Sequence, residues 1–367
     1  MESTPATEAD AKVAVVFGTR PEAIKMAPIV RCLRAAPGLE TILINTGQHD
    51  HLMPTLLAHF ELAPRYNLGV MRNGQDLNDL SAELITRVSE ILRAEKPRVV
   101  LVQGDTSTAA CTAMASFYLQ IPIGHVEAGL RTYSMDSPFP EEFHRRLISS
   151  VSTWHFAPST LSAKNLEREG VGGQIFVTGN PGVDALFHVR NQLPGREKAD
   201  GVHRVVATVH RRENHRHLGE IFEALKLLAS RPDVEVVLPV HANPVVQEAV
   251  AHRLEGSKVR VIAPPDYLPW LILLQSAQLV ITDSGGVQEE APLLGVPLLV
   301  IRDVTERQEL IDGNYGALVG TDSPSIVEQA IQVLEGRKSF VQGTPYGDGH
   351  AADRIVNALI AAVGGAR

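Results

Sequence analysis

Residues 279–290 read LVITDSGGVQEE, the pattern of a buried β-strand that leaves through small residues and enters an α-helix. Two glycines at the turn let backbone amides approach phosphate oxygens, and the dipole of the following helix favours negative charge there. Glu290 follows in the helix, where an acidic side chain would accept the hydroxyl groups of a ribose. The stretch predicts a nucleotide diphosphate site, although glycine pairs also begin many helices that bind no ligand.

The same alternation of strand and helix extends in both directions. Short β-branched runs, typical of buried parallel strands, occupy residues 13–17, 41–45, 99–103, 121–125, 205–209, 234–240, 279–283 and 297–301. Apolar residues return at helical spacing in residues 76–95, 218–230 and 244–254. Such alternation builds βαβ units. The predicted fold class is α/β, with two doubly wound Rossmann-like domains that face each other across a cleft.

The chain has 367 residues, which is too long for one ordinary core and indicates two domains. A polar stretch with Pro194, Gly195 and Gly201 separates the two sets of strands and is predicted to be the linker. The predicted order is a frayed tail at 1–12, an N-terminal α/β domain at 13–190, the linker at 191–203, a C-terminal α/β domain at 204–345, and a helix within 346–367. By analogy with similar two-domain proteins, this last helix is expected to pack on the N-terminal domain.

Composition and charge limit the classes of function that the chain can have. The formal charge of −8 and the pI near 6.0 oppose a nucleic-acid partner, which needs a basic face. No run of about eighteen apolar residues occurs, so no membrane-spanning helix is expected. The first residues lack the pattern of a signal peptide, so a cytoplasmic location is expected.

Cys32 and Cys111 lie far apart on apolar stretches, which predicts two buried thiols and no disulfide.

Polar residues directly after strands are the candidates for function, because ligands bind beyond the carboxyl ends of parallel strands. After the first strand, Thr19, Pro21 and Glu22 form a capping-box arrangement that needs no ligand to explain it. The cap does not explain Arg20 and Lys25. Two cations beside a helix N-terminus predict a site for a phosphate or carboxylate, with a solvated helix lysine as the alternative for Lys25.

Acidic groups follow the next strands. Asp105 comes after strand 99–103, where it either caps the following helix or takes part in chemistry. Glu127 follows the next strand, and a carboxylate at an apolar strand edge is usually paired or functional. Glu141 and Glu142 follow two prolines at a helix start, where either one alone would be explained as stabilising the helix N-terminus.

In the second half, strand 205–209 leads directly into His210, and His215 and His217 follow. Their spacing matches neither an HExxH helix nor a CxxC site, so no metal is predicted. The P-loop pattern and a well-placed GxGxxG are absent, which argues against a P-loop kinase and an NAD-binding domain. Ser284 lacks the GxSxG elbow of a hydrolase nucleophile. A nucleotide diphosphate held by the second domain is the simplest interpretation.

Together the motifs resemble those of the non-hydrolysing UDP-N-acetylglucosamine 2-epimerases, from residue 13 almost to the C-terminus. The matching motifs are FGTRPEAIKM at 17–26, GDT at 104–106, HVEAGLR at 125–131, PEE at 140–142, HRRE at 210–213, PVH at 239–241, YLP at 267–269, TDSGGVQEE at 282–290, TER at 305–307 and PYGDG at 345–349. The resemblance implies a fold of the GT-B glycosyltransferase type, a homodimer and no redox cofactor. It implies inversion at C2, which interconverts UDP-GlcNAc and UDP-ManNAc through UDP and 2-acetamidoglucal.

The resemblance also implies roles for single residues. The acid/base candidates are Asp105, Glu127 and Glu141, with Lys25 and His210 supporting charge at the sugar and the diphosphate. The matching UDP-binding positions are Arg20, Ser284, Gly285, Gly286, Glu290 and Arg307, together with Trp270 where an aromatic ring near uracil is usual. Such chemistry needs carboxyl groups to move protons and cations to stabilise the leaving diphosphate.

Many bacterial members bind a second UDP-GlcNAc at a regulatory site. The matching residues are Gln48, His49, Arg211 and His241. Here, however, His51 and Gly74 stand where some allosterically controlled members have Gln and Arg, and Gln308 replaces a common proline. The sequence leaves activation by substrate open.

Three other classes compete with the epimerase. A GT-B glycosyltransferase would use the same UDP site, but the acidic trio of the first domain favours epimerisation. A hydrolysing epimerase would release ManNAc and UDP from the same intermediate. A UDP-sugar sensor without catalysis would not need three carboxyl groups.

Overall fold

The computed structural model describes residues 11–48, 53–72, 74–195, 201–240 and 244–364. These residues form two compact units, one drawn from Met1–Ala185 and Gly347–Arg367 and the other from Leu186–Tyr346. The division falls inside the helix Pro181–Val189, a few residues before the linker predicted at 191–203.

The first unit is built on a parallel sheet. Its strands are β1 Ala11–Phe17, β2 Leu39–Asn45, β3 Tyr66–Asn67, β4 Val99–Gln103, β5 Ile123–Val126, β6 Trp154–Ala157 and β7 Gln174–Val177. Its helices are α1 Arg20–Ala35, α2 Met53–His59, α3 Leu77–Glu95, α4 Ser107–Tyr118, α5 Glu141–Val151, α6 Thr160–Glu169 and the first part of α7 Pro181–Val189. The strand order is β3-β2-β1-β4-β5-β6-β7.

The second unit repeats this plan. Its strands are β8 His203–Thr208, β9 Val234–Pro239, β10 Arg260–Ile262, β11 Leu279–Thr282, β12 Leu298–Val300 and β13 Ala317–Leu318, in the order β10-β9-β8-β11-β12-β13. Its helices are α8 Leu218–Ser230, α9 Pro244–Arg253, α10 Tyr267–Ser276, α11 Gly285–Leu293, α12 Gln308–Asp312 and α13 Ser323–Leu334, with 3₁₀ turns at Arg190–Gln192 and Arg212–His217.

Both sheets have a switch point at which the strand order reverses. In the first sheet β1 lies between β2 and β4, and in the second β8 lies between β9 and β11. Loops that leave neighbouring strands at such a point open a crevice at the carboxyl edge of the sheet. The two doubly wound Rossmann-like domains expected from the sequence are confirmed, and each has a candidate ligand edge.

The eight strands predicted from the sequence are all present. Burial explains them, since every residue from Val13 to Phe17 in β1 has no exposed surface. β5 begins at Ile123, two residues after the predicted start, because Pro122 has no N–H to donate to a sheet. The sequence missed β3, β6, β7, β10 and β13, each of which has no more than four residues.

The chain returns to the first unit through a last helix, α14 Ala351–Gly364. This helix packs against α1 and buries Ile355 and Leu359. Its first turn is fixed by Asp184, whose Oδ1 accepts a hydrogen bond of 2.8 Å from the amide of Ala352. The C-terminal segment is therefore part of the packing of the first unit.

Two smaller expectations need correction. Cys111 is buried as predicted, but Cys32 is only half-buried, because its thiol lies at the edge of α1 and donates to Asp353 Oδ1 at 3.4 Å. Ala11 and Lys12, which were predicted as part of a frayed tail at 1–12, belong to β1. Residues 1–10 lie outside the described part of the chain. Among the described helices, none is long and apolar enough to cross a membrane.

Candidate functional site

Glu127 lies at the carboxyl end of β5, directly after Val126, and its side chain is buried. Side chains from other parts of the unit donate to its carboxylate. Lys25 Nζ and Asn180 Nδ2 lie 2.5 Å and 2.9 Å from Oε1, and Gln103 Nε2 donates to Oε2. The backbone of Glu127 has φ +65°, a left-handed conformation that is costly for a residue with a side chain. Packing and hydrogen bonds therefore hold one carboxylate in one orientation.

Lys25 lies on α1 and is buried, with only 7% of its side chain exposed. The alternative of a solvated helix lysine is therefore wrong. Burying an ammonium group is tolerable because the Glu127 carboxylate pairs with it. Arg20, the other predicted cation, is the first residue of α1 and is partly exposed, at the N-terminus where the helix dipole favours an anion.

Asp105 follows β4 in the Gly104-Asp105-Thr106 turn. It does not cap the next helix, because Thr106 Oγ1 accepts the amide of Ala109 at 3.0 Å and is the N-cap of α4. Instead, the Asp105 carboxylate pairs with Arg145, whose Nη2 lies 2.6 Å from Oδ2. The backbone oxygen of Asp105 lies 2.8 Å from His144 Nδ1. Helix α5 therefore holds both the side chain and the backbone of Asp105.

The Gly104 turn lies directly beside Glu127. A Cβ on Gly104, which has φ +72°, would lie 3.6 Å from Glu127 Oε2. His125 Nε2 is 2.8 Å from the Gly104 carbonyl oxygen, and burial lowers the pKa of His125 to about 3. The imidazole is therefore neutral near pH 7 and donates through Nε2. The carboxyl ends of β4 and β5 thus bring Asp105 and Glu127 to one edge of one sheet.

Glu141 and Glu142 open α5 but differ in their surroundings. Glu142 is fully buried, accepts the amide of Thr132 at 3.0 Å and pairs with Arg145 Nη1 at 3.0 Å. It is a structural residue that holds α5 against the preceding loop. Glu141 is the first residue of α5 and is partly exposed. Of the two glutamates, Glu141 is therefore the one with exposed surface.

One further carboxyl group beneath this edge was predicted only as a cap. Glu22 forms the capping box of α1, with Oε2 accepting the amide of Thr19 at 2.7 Å. Its other oxygen accepts the Thr106 hydroxyl at 2.6 Å. Complete burial outweighs these hydrogen bonds and raises the pKa of Glu22 to about 7. Glu22 therefore links the start of α1 to the turn that carries Asp105.

In the second unit, Asp283 organises the carboxyl ends of β8 and β11. It is fully buried and accepts the amides of His210 at 3.0 Å and Arg211 at 2.9 Å, as well as Asn214 Nδ2 at 3.0 Å. His210 Nδ1 lies 3.2 Å from Asp283 Oδ1, and about a third of the His210 side chain is exposed. The carboxylate beside Nδ1 fixes the orientation of the ring and directs its other nitrogen away from Asp283.

The glycine turn follows β11 as predicted. Ser284 is the N-cap residue of α11, and its amide donates to Thr282 Oγ1 at 2.9 Å. Gly285 lies against the Arg307 guanidinium, since a Cβ there would come within 2.7 Å of Nη1. Arg307 is fixed by Glu289, whose Oε1 lies 2.6 Å from Nη2, and by Glu306, which accepts from Nη1. A buried cation is thus held beside the N-terminus of α11.

Trp270 and Glu290 form one group. Trp270 lies on α10, and its indole Nε1 donates to Glu290 Oε2 at 3.0 Å. The sequence predicted an aromatic ring near uracil and a ribose carboxylate as separate elements. The structure connects them, so the indole fixes the orientation of the carboxylate on α11.

The predicted regulatory residues are only partly described. Gln48 follows β2, and its Oε1 accepts the Thr108 hydroxyl at 2.9 Å. Arg211 donates its amide to Asp283, and Gly74 has φ +75° in the turn before α3. The others, His49, His51 and His241, lie outside the described residues.

Sequence reasoning missed the partners that orient the carboxylates. Gln103, Asn180 and Arg145 were not singled out, nor was the role of Asp283. Arg145 had a local signal, because it stands three residues after Glu142 on the same helix, the spacing at which opposite charges pair. Asp283 had one as well, since it follows a predicted strand directly.

Comparison with known proteins shows the family of this chain. A family model described as UDP-N-acetylglucosamine 2-epimerase matches residues 31–360. The UDP-N-acetylglucosamine 2-epimerase of Escherichia coli strain K12 is 43% identical over 368 residues, which cover 95% of this chain and 98% of that protein.

Solved structures give the same result. The UDP-GlcNAc 2-epimerase from Neisseria meningitidis bound to UDP-GlcNAc superposes with a TM-score of 0.90 at 38% identity, covering 95% of this chain and 99% of that chain. The enzyme from Methanocaldococcus jannaschii in complex with UDP-GlcNAc and UDP gives a TM-score of 0.86 at 32% identity, with the same coverage. The chain therefore belongs to the UDP-N-acetylglucosamine 2-epimerase family.

Proposed function

We propose that this protein is a non-hydrolysing epimerase that interconverts UDP-GlcNAc and UDP-ManNAc. The observation that carries the proposal is the pair of carboxylates at adjacent strand ends, each with its own cationic partner: Asp105 with Arg145 and Glu127 with Lys25. Inversion at a carbon requires a proton to leave one face and another to arrive at the opposite face. Two carboxyl groups that are held separately suit such an exchange.

The proton at C2 is not acidic, so the proposed pathway is an elimination. A carboxylate takes the C2 proton while the bond between C1 and the diphosphate oxygen breaks, which gives 2-acetamidoglucal and UDP. A carboxylic acid then protonates C2 from the other face, and the UDP oxygen adds back to C1. Asp105, Glu127 and Glu141 are the candidates for the two proton transfers, and no redox cofactor or metal takes part.

The second unit is proposed to hold UDP throughout. The amides of Gly285 and Gly286 and the hydroxyl of Ser284 face the diphosphate at the N-terminus of α11, where the helix dipole favours negative charge. Arg307 adds positive charge for the leaving group, and His210 adds a hydrogen-bond donor. UDP is thereby retained for the second half of the reaction.

The remaining proposed contacts are those to the nucleoside and one further cation. Glu290 accepts the ribose hydroxyls in the orientation set by Trp270, whose ring also lies beside the base. Arg20, at the N-terminus of α1, contributes a further cation.

The homodimer implied by the sequence resemblance stays a prediction. Light scattering on the purified protein would measure its molecular mass in solution and so test it.

The test is incubation of the purified protein with UDP-GlcNAc in D2O, followed by NMR and mass spectrometry of the sugar nucleotides. We expect deuterium at C2 and the appearance of UDP-ManNAc until a constant ratio is reached. Accumulation of free ManNAc with UDP would identify a hydrolysing epimerase instead. Consumption only in the presence of an added acceptor would indicate a glycosyltransferase, and no reaction with any of these would refute catalysis.

A further inference from the structure

Asn180 stands between β7 and α7, in a segment to which no catalytic role is assigned. Its side chain is 1% exposed and makes two different hydrogen bonds. Oδ1 accepts the amide of Gly182 at 2.9 Å, and Nδ2 donates to Glu127 Oε1 at 2.9 Å. The first bond caps α7, a role for which Asn, Asp and Ser are all suited. The second bond can be made only by a donor.

These two bonds fix the amide in one orientation. If the amide rotated, its oxygen would face Glu127 and its NH2 group would face the Gly182 amide, so both hydrogen bonds would be lost. A hydrogen bond to a carboxylate is stronger than one between neutral groups. Asn180 therefore presents a directed donor to the same carboxylate oxygen that Lys25 contacts.

The segment that carries Asn180 is itself held from the C-terminal side of the unit. Arg354 Nη1 on α14 donates to the Thr178 carbonyl at 3.1 Å. Gly347 has φ +111° and packs on Gly179, since a Cβ at position 347 would lie 3.1 Å from the Gly179 Cα. The backbone that precedes Asn180 thus has little room to move. These contacts keep Asn180 Nδ2 at a fixed distance from Glu127 Oε1.

We propose that Asn180 is a positioning residue that orients the Glu127 carboxylate for proton transfer. This inference rests on the proposed epimerase function, in which Glu127 is an acid/base group. Proton transfer requires the carboxyl oxygen to lie within hydrogen-bonding reach of the reacting carbon's proton in a defined direction. Lys25 contributes charge through a flexible side chain, whereas the planar amides of Asn180 and Gln103 each bind one of the two oxygens and set the plane of the carboxyl group.

The test uses Asn180→Asp and Asn180→Ser, both of which retain an N-cap oxygen for α7. Asn180→Asp replaces the donor by a carboxylate oxygen against Glu127, and Asn180→Ser removes the amide NH2 group that reaches Glu127, without adding charge. We expect kcat for epimerisation to fall about 10- to 100-fold in both variants, with the larger loss in Asn180→Asp. The Kd for UDP, measured by calorimetry, should stay at the wild-type value.

Asn45 provides a matched control. Its Oδ1 accepts the amide of Gly47 at 3.0 Å, as Asn180 accepts that of Gly182, but its Nδ2 donates to the neutral amide of Asn67 at 3.0 Å. Asn45→Asp keeps the turn and places the new charge beside a side chain that can rotate to donate. We expect its kcat to remain at the wild-type level.

The outcomes distinguish a failure of the role inferred for Asn180 from a failure of the proposed epimerase function. Wild-type kcat in both Asn180 variants would show that the residue only caps α7 and would overturn the inference. Loss of UDP binding together with kcat would also overturn it, because the damage would then be general. If Asn180→Asp does not fold, Asn180→Ser decides alone. A wild-type protein that does not epimerise UDP-GlcNAc would instead refute the proposed function.

Discussion

Arg145 binds Asp105 through a single carboxylate oxygen: Nε and Nη2 lie 2.9 Å and 2.6 Å from Oδ2. Within the described part of the chain no group donates to Oδ1, and 28% of the Asp105 side chain is exposed. One oxygen is thus anchored while the other is open to a substrate. This arrangement suits a carboxyl group that exchanges a proton without moving.

The first prediction concerns Asp105 and its anchor. Asp105→Asn removes the proton acceptor and is expected to lower kcat by about 100- to 10,000-fold, with UDP binding retained. Arg145→Lys keeps the charge but loses the paired contact of the planar guanidinium, so we expect a smaller loss of about tenfold. Steady-state kinetics and UDP calorimetry on the two variants measure both effects.

Arg131 is the matched control for Arg145. It is also buried and also contacts a carboxylate with two nitrogens, since Nε and Nη2 lie 2.9 Å and 2.7 Å from the two oxygens of Glu169. Arg131→Lys is expected to lower the free energy of unfolding by about 1–3 kcal/mol while kcat stays near wild type. Equal losses of kcat in both lysine variants would contradict the special role of Arg145.

The second prediction concerns pH and Glu22. Its pKa is about 7 in the folded protein because of burial, against an ordinary value of 4.5, so between these values the folded state binds more protons than the unfolded state. The stability due to Glu22 is therefore fully present below about pH 4.5 and is lost as the pH rises through about 7. The loss at pH 8 amounts to about 3 kcal/mol.

Glu22→Gln isolates this contribution. The amide oxygen still accepts from the Thr19 amide, and the NH2 group can donate to the Thr106 hydroxyl. We expect urea unfolding to give equal stability for wild type and variant near pH 4.5, and a more stable variant at pH 8. Contributions from groups that are the same in both proteins cancel in the difference. A difference that does not change with pH would show that burial does not hold Glu22 in its protonated form.

Features with nearby partners in sequence could be predicted. Thr19 and Glu22 stand three residues apart, so the capping box was visible before the structure. The alternation of apolar runs and amphipathic stretches predicted the two sheets, because buried parallel strands and their crossover helices have distinct periods. The glycine turn could be predicted as well, because Ser284, Gly285 and Gly286 follow one another directly after a predicted strand.

The partners of the carboxylates could not be predicted in this way. Glu127 meets Asn180 and Lys25 only because the sheet places their strands and helices side by side, and no local pattern records that order. The same holds for Asp283, whose three donors come from the loop after another strand. The sequence indicates which carboxyl groups are candidates for the chemistry, but the positions of their partners depend on the strand order.

The third prediction concerns the glycine turn. Gly285→Ala places a methyl group 2.7 Å from Arg307 Nη1, and Glu289 prevents the guanidinium from moving aside without losing its ion pair. We expect this variant to lose about 1–3 kcal/mol of unfolding free energy and to bind UDP more weakly. Urea unfolding and UDP calorimetry give the two quantities.

Gly286→Ala separates folding from binding. A Cβ at Gly286 meets nothing within 4 Å, and an alanine in the first turn of α11 stabilises the helix by up to about 1 kcal/mol. The folded protein is therefore expected to be at least as stable as wild type. Its affinity for UDP should nevertheless fall about tenfold or more, because a methyl group would occupy the space through which the amides reach the diphosphate. Wild-type affinity in this variant would exclude the turn as the phosphate site, whatever Gly285→Ala shows.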